Sequence, residues 1–497
     1  MKNRRMLLPA LLAAALLLAT SVLPAFALDG YDYTYTYNYD FWGELRESPD
    51  AYRVEKVISY SDIGLDTPMK TPQSLFVAGE DVYVCDTGNN RILQLRRKGA
   101  SFDLVRVIDE VKGAEPSTFN APYDIFVDDE GTMYVCDQNN NRIVKMDRDA
   151  NYIMSFTKPT DETFTQSITF LPSKLVVDVA GRVFALCKNV NKGLVKYEPD
   201  GEFTGFIGAS EARFNWYDYI WKLLSTKEQR AQQANFVPTE YENIYMDPKG
   251  FIFATIATFE EGDIETTKPI RRINSIGSDI LIRNARNGRE IPMGDLDWDD
   301  ANEINGPSRL TDITVFDNGI YVALDRMRGR LFGYDTQGNM LWAFGGPGGS
   351  DGYFKRPTAV EHMGYDLLVL DQQECSITLF TPTDYGALIY TATEQYLKGF
   401  YEDSADTWRQ VLVRNGNYDL AYVGIGRALL REDEYKEAMH CFEVARDAKN
   451  YGEALRLYRK VWVEENIGWI FPVILVLLVG PLLIGRVKKM RAEVNGR

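Results

Sequence analysis

A self-similarity with a period of about fifty residues constrains this chain more than any other feature. Thr71-Pro72-Gln73-Ser74-Leu75-Phe76-Val77 aligns with Ala121-Pro122-Tyr123-Asp124-Ile125-Phe126-Val127. Val82-Tyr83-Val84-Cys85-Asp86 and Met133-Tyr134-Val135-Cys136-Asp137 follow in the same order, then Asn90-Arg91-Ile92 and Asn141-Arg142-Ile143. Further copies start at Pro172, Pro238, Pro307 and Pro357, making six units. Within each unit, short runs rich in Val, Ile, Tyr and Phe alternate with polar residues and are separated by Asp, Asn and Gly turns, the pattern of antiparallel strands. One four-stranded unit cannot bury both of its faces, whereas six packed around an axis cover them and leave only short edges. The predicted fold is therefore mainly β, a six-bladed β-propeller. A β-solenoid is disfavoured, because its coils repeat over fewer residues.

The composition agrees with a folded, largely soluble body. Of 497 residues, 45% are hydrophobic and 25% charged, ordinary globular usage. A formal charge of −16 with no basic stripe repels phosphate backbones and excludes nucleic-acid binding. Two histidines, His362 and His440, and five cysteines without short paired spacing leave almost no ligands for a zinc site. Cys85, Cys136 and Cys187 recur every 51 residues inside apolar strands and are read as small core residues.

Both ends carry membrane signals. Lys2, Arg4 and Arg5 precede an apolar run and Ala25-Phe26-Ala27, which reads as a secretory signal peptide over residues 1–27. Residues 467–485 hold no charge, long enough for a transmembrane helix, with Trp462 and Trp469 at the outer edge. The basic tail 486–497 predicts a cytoplasmic C-terminus by the positive-inside rule, with the body outside the cell. That body would carry about −23, a strongly acidic surface.

The repeat resembles that of the NHL propellers, roughly apolar-x-Val-Ala-Asp-x-x-Asn-x-Arg-Ile. Units one and two match nearly throughout, with Cys for the Ala; unit five keeps Leu324-Asp325 and Arg330, and unit six keeps Leu370-Asp371 and Ile377. Units three and four have lost most of it. The resemblance covers residues 52–382 and implies the fold more than a function, since the family includes lyases, binding modules and scaffolds. The motif's Asp, Asn and Arg are expected to lock turns rather than touch ligand. Residues 52–59 look like an outer strand that precedes the first unit, and are expected to complete blade six. Residues 28–51 form a Tyr-rich leader whose ladder, Tyr31 to Tyr39, either extends that pairing or is disordered.

From Asp384 the apolar period changes to about 3.6, with Thr383 as a cap. Tyr401, Ser404, Trp408 and Val411 recur 34 positions later as Tyr435, Ala438, Phe442 and Ala445, and Gly424 would let helices approach closely. Residues 383–465 thus resemble tetratricopeptide repeats, or else form a plain helical stalk.

The unit spacings of 50, 50, 66, 69 and 50 place extra chain in blades three to five. Insertions at residues 209–236, 259–268 and 286–305 all leave by connections on one face of a propeller, where function is usually carried. The first is rich in aromatics, including Trp216, Tyr219 and Trp221. The third adds Trp298 and a run from Asp295 to Glu303, expected to be a solvated acidic loop. Its Asp-x-Asp-x-Asp start resembles a calcium site, but Asp300 stands in place of the turn glycine and Gly306 in place of the bidentate Glu. No cofactor is therefore expected. The predicted binding residues are Trp216, Tyr219, Trp221, Trp298 and Arg326, facing a protein or carbohydrate; a second protein partner would meet the helical repeats. No nucleophile elbow, phosphate loop or His-paired Ser or Cys is present, so no catalytic residue is assigned. The sequence favours a membrane-anchored binding or scaffold protein. Similar propeller, helical-repeat and membrane-helix chains of Gram-positive bacteria suggest an accessory to sugar uptake. The alternative is a surface lactonase or hydrolase with a metal in the funnel.

Overall fold

In a computed structural model, the structure describes residues 35–161, 164, 169–188, 190, 192–208, 241–257, 268–283, 285–286, 289–290, 293–295 and 307–496. Six antiparallel sheets stand around an axis. Their inner strands are Ser74–Ala78, Pro122–Val127, Leu171–Val177, Asn243–Met246, Leu310–Val315 and Pro357–Met363, each adjoining the next and the sixth adjoining the first. The sixth sheet is completed by Tyr52–Ile58, which pairs with Ser376–Pro382 from Ile58↔Ile377 to Tyr52↔Pro382.

Strand alternation explains how one sheet seals two junctions. In blade one, Val82 and Val84 pack with Leu368 and Leu370 of blade six, whereas Tyr83 and Cys85 pack with Ile125 and Val135 of blade two. Adjacent residues point to opposite faces, and both faces are covered, so the strands read as near-continuous apolar runs. Every junction between blades has such a core. Cys85, Cys136 and Cys187 are buried in it as free thiols.

The repeat motif locks turns. Asp86 accepts bonds from Asn89 Nδ2 (2.8 Å), Arg91 Nε (2.7 Å) and the Lys70 backbone N–H (2.7 Å). Asp137 does the same with Asn140 (2.8 Å), Arg142 (2.8 Å) and Asn120 N–H (2.8 Å). Asn90 sits in the left-handed region at φ 53°, which Asn tolerates, and its side-chain oxygen accepts from Ala121 N–H, stitching blade one to blade two.

The described part of the tyrosine ladder, Tyr35 to Tyr39, does not extend blade six, and Tyr31 and Tyr33 lie outside the described residues. Thr36–Tyr39 pairs instead with the outer strand of blade five, Met340–Gly345, and Leu45–Glu47 adds a sixth strand beyond it. Burial of Tyr37 decides the matter, because its ring fills the junction between blades four and five.

After Pro382 the chain forms α1 (Asp384–Lys398), α2 (Tyr401–Arg414), α3 (Asp419–Arg431), α4 (Tyr435–Val444) and α5 (Ala448–Asn495). Thr383 caps α1 by accepting from Gly386 N–H (3.3 Å). A Cβ at Gly386 would collide with the Ala51 carbonyl, and one at Gly424 with the Trp408 indole, so both glycines permit close packing. The bundle docks on blades five and six: the Tyr365 and Tyr390 rings stack at 4.5 Å, Tyr390 and Tyr52 hydroxyls share a 2.7 Å bond, and Tyr418 donates to the Leu341 carbonyl (2.8 Å). α5 runs 48 residues without interruption and is long and apolar enough to cross a membrane, its apolar stretch exposed.

Candidate functional site

Two features share one end of the propeller, the face at which the inner strands begin. The first is the set of insertion roots, and each is closed by bonds between its own two ends. Tyr241 Oη donates to the Gly208 carbonyl (2.5 Å), Ile256 N–H to Pro269 (2.8 Å), and Ser308 N–H to Asp295 (2.8 Å). Arg309 donates to the Ala257 carbonyl (3.1 Å), tying the third root to the second. The insertions thus leave a rigid base rather than a loose edge.

Of the predicted binding residues, Arg326 is described. It lies at this end of blade five and pairs with Glu242 of blade four at 3.5 Å, with 37% and 39% of the two side chains exposed. Such a pair contributes little to stability, which leaves its groups able to exchange partners. Trp216, Tyr219, Trp221 and Trp298 lie outside the described residues, as does the acidic run beyond Asp295.

Asp295 itself is not the start of a solvated loop. It is 3% exposed and accepts from Tyr37 Oη (2.8 Å), Tyr39 Oη (2.6 Å) and Arg330 Nη1 (2.7 Å). Its backbone N–H donates to Ser308 Oγ (2.9 Å). Arg330 is the motif arginine of blade five, and here it departs from its counterparts in blades one and two: it turns to Asp295 and to Tyr37 Oη (2.7 Å). With both oxygens engaged, Asp295 has been taken from the calcium-like pattern. Among the described residues, no group of three or more His, Cys, Asp or Glu side chains is arranged to hold a metal ion.

The second feature is the axial channel just beneath. One register position of the six inner strands carries Ser74, Asp124, Lys174, Asn243, Asp312 and Ala359 in turn, all buried. Ser74 Oγ donates to Asp124 (2.5 Å), and Asp124 also accepts from Leu175 N–H (2.9 Å). Lys174 Nζ lies 3.5 Å from both Asp124 and Ser74 Oγ. Blades one and three are not neighbours, so that contact crosses the axis. Burial draws the Lys174 ammonium's pKa down, but the Asp124 and Asp312 carboxylates outweigh it and hold it above its ordinary value. Asp312 accepts from Val360 N–H (2.7 Å), and burial pushes its pKa up to about 6 against the pull of Lys174.

Two residues farther along the strands, Thr314 Oγ1 bridges Glu361 (3.2 Å) and His362 Nδ1 (2.6 Å). Burial, then the nearby Asp312, raises Glu361 well above the carboxylate range. His362 is lowered to about 4 by burial and is neutral at pH 7. The channel therefore holds one carboxyl held towards its protonated form, Glu361, a second, Asp312, that is ionised at neutral pH but gains its proton near pH 6, a neutral imidazole and one fixed ammonium. The sequence offered no histidine-paired hydroxyl, because Thr314 and His362 sit on different blades. The signal for the upper ring was present as equal register, two residues after the repeat proline in blades one to three.

No family model matches the chain. It is 28% identical over 170 residues to NHL repeat-containing protein 3 of Mus musculus, covering 31% of this chain and 48% of that protein. The Homo sapiens protein of that name is 28% identical over 148 residues, 27% of this chain and 42% of the other. The chain thus spans less than half the length of these relatives. Among solved structures it is similar to a streptogramin B lyase, with a TM-score of 0.40 and 11% identity, covering 67% of this chain and 100% of that one. A virginiamycin B lyase from Staphylococcus aureus gives 0.38 and 10%, with 66% and 99% covered. The chain is a six-bladed propeller with a short helical bundle and one membrane-length apolar helix, distantly similar to vertebrate NHL-repeat proteins.

Proposed function

We propose that this is a membrane-anchored recognition protein. Its propeller binds a protein or carbohydrate at the face bearing the three insertions, outside the cell, while the C-terminal tail lies in the cytoplasm. The helical bundle, read as tetratricopeptide-like, offers a second protein-binding surface, and a sugar uptake system is the favoured context. The observation that carries this reading is the contrast between the two features at this end of the propeller. The axial carboxylates are already compensated by the chain's own Lys174, whereas the insertions rise from stapled roots beside the exchangeable Arg326–Glu242 pair. Aromatic and Arg side chains dominate binding surfaces of this kind.

The test is a photo-crosslinking residue at position 326 of the full chain in native membranes, with position 105, exposed on the outer edge of blade one, as control. Adducts specific to 326 are expected; equal labelling at both positions would refute the assignment of the face.

A second reading, a propeller hydrolase or lactonase, is favoured by one observation, the juxtaposition of Thr314, Glu361 and His362 with a protonatable Asp312 in the channel. Hydrolysis of a lactone panel by the purified full chain, abolished in His362→Ala and Asp312→Asn, would establish it. No turnover by the folded wild type would remove it.

A further inference from the structure

We propose that the N-terminal hairpin, Thr36 to Glu47, is a mechanical link that couples the root of the third insertion to the membrane-length helix. It contacts both Asp295, at that root, and Arg446, in the turn that precedes α5. At one end Tyr37 and Tyr39 hold Asp295 at the foot of that insertion. At the other, Phe41 N–H donates to Asp419 at the start of α3 (3.2 Å), and the Arg446 guanidinium lies 4.9 Å from the Trp42 ring centre. Arg446 occupies the turn from which α5 departs, and α5 continues without a break through its apolar stretch.

The hairpin is also built to shift as a unit. Asp40 ties its turn together, accepting from Trp42 N–H (2.8 Å), Glu44 N–H (3.0 Å) and Arg46 Nε (2.9 Å). Its backbone hold on blade five is short, with Thr36↔Phe344 and Tyr37↔Ala343 in register. Side chains therefore carry much of the hold, the Tyr37 ring by its burial between blades four and five and the Tyr37 and Tyr39 hydroxyls by their bonds to Asp295. A change in Asp295 that releases the two hydroxyls frees one end of the hairpin, and the Trp42–Arg446 contact passes that freedom to the α4–α5 turn. Coupling of this type is reciprocal in equilibrium terms, which gives the test two directions.

The experiment is hydrogen exchange on the full chain in lipid nanodiscs. Tyr37→Phe with Tyr39→Phe keeps both rings and deletes both hydroxyls. Exchange of the Thr36–Glu47 amides should rise at least about tenfold, the equivalent of one lost charge-assisted bond, and the Ala445–Ala448 turn should rise with it while blade two stays fixed. From the other end, Arg446→Gln should speed exchange at Tyr37 and Asp295 by about threefold, as loss of a surface cation–π contact implies. This second variant sits at the surface and keeps the proposal testable if the double Phe variant does not fold. A loosened hairpin with an unchanged α4–α5 turn, or Arg446→Gln without effect at Asp295, overturns the link. The inference rests on the recognition reading only for what would displace Asp295. Failed crosslinking at position 326 leaves the exchange result standing, and the reverse also holds.

Discussion

Replacing Lys174 by Met would remove the only positive charge among the axial ring positions while nearly preserving side-chain length. Lys174, Asp124 and Asp312 are 8%, 7% and 4% exposed, so water cannot take over the ammonium's role. Breaking a buried pair by deleting one partner costs about 3–5 kcal/mol, and for a body this large each kcal/mol moves the melting temperature by about 2 °C. A fall of roughly 6–10 °C at pH 8 is expected by these rules. The pH dependence separates this cause from simple mispacking. Asp312 has a folded pKa raised from 3.8 to about 6. Its contribution is thus most favourable below pH 4 and is lost as pH rises through 6, a swing on the order of 3 kcal/mol. Without Lys174 that pKa rises further, and protonated carboxyls need no counter-charge. The deficit of Lys174→Met relative to wild type should therefore shrink at pH 5. His362 works in the opposite sense, its depressed pKa costing stability as pH falls from 6.5 towards 4, but it is common to both proteins and cancels in the difference. Differential scanning of the full chain in detergent at pH 5 and pH 8 decides the matter. An equal deficit at both values, or none at pH 8, would refute the electrostatic account of the channel.

Gly386→Ala should loosen the seating of α1 on the residues before the propeller, because the new methyl meets the Ala51 carbonyl rather than a yielding side chain. A loss of about 3 kcal/mol, with faster proteolysis between propeller and bundle, is expected. Arg142→Ala strands the fully buried Asp137 and should cost about 3–5 kcal/mol. The matching change at Arg91, which is more exposed, should cost roughly half as much by the same rule, and equal chemical-denaturation midpoints would contradict the burial argument. Deleting residues 35–58 should leave blade six with an open edge and produce aggregation or a collapsed melting transition; an unchanged melting curve would show that the ring closes without it.

The blades were legible because their information is local: a proline and alternating apolar residues recur in every unit, and an Asp-bounded turn in units one, two, five and six. Closing the ring with residues 52–59 was legible for the same reason, as that segment looks like an outer strand. What could not be read was anything that depends on which residues face one another after closure. Ser74, Asp124, Lys174 and Asp312 share a register, yet only the ring brings the blade-three lysine to the blade-one serine. Thr314 and His362 meet for the same reason. Asp295 was read as solvated because its acidic neighbours suggested it, and its partners, Tyr37 and Tyr39, lie more than 250 residues away. The diversion of Arg330 from its motif role was equally hidden, because the motif itself is intact in the sequence.

The closing strand also fixes an order of events in biosynthesis. Tyr52–Ile58 leaves the ribosome before any blade, yet its partner is Ser376–Pro382, the last strand of the ring. At 5–20 residues per second, the interval between making one and the other is roughly 16–65 s. During that time the earlier blades can form hairpin by hairpin, but the founding strand has nothing to pair with and its backbone donors stay open to neighbouring chains. Newly made copies crowded on one messenger are thus most exposed to mispairing at this strand, and slowing translation through blade six would lengthen that exposure without altering a single native contact.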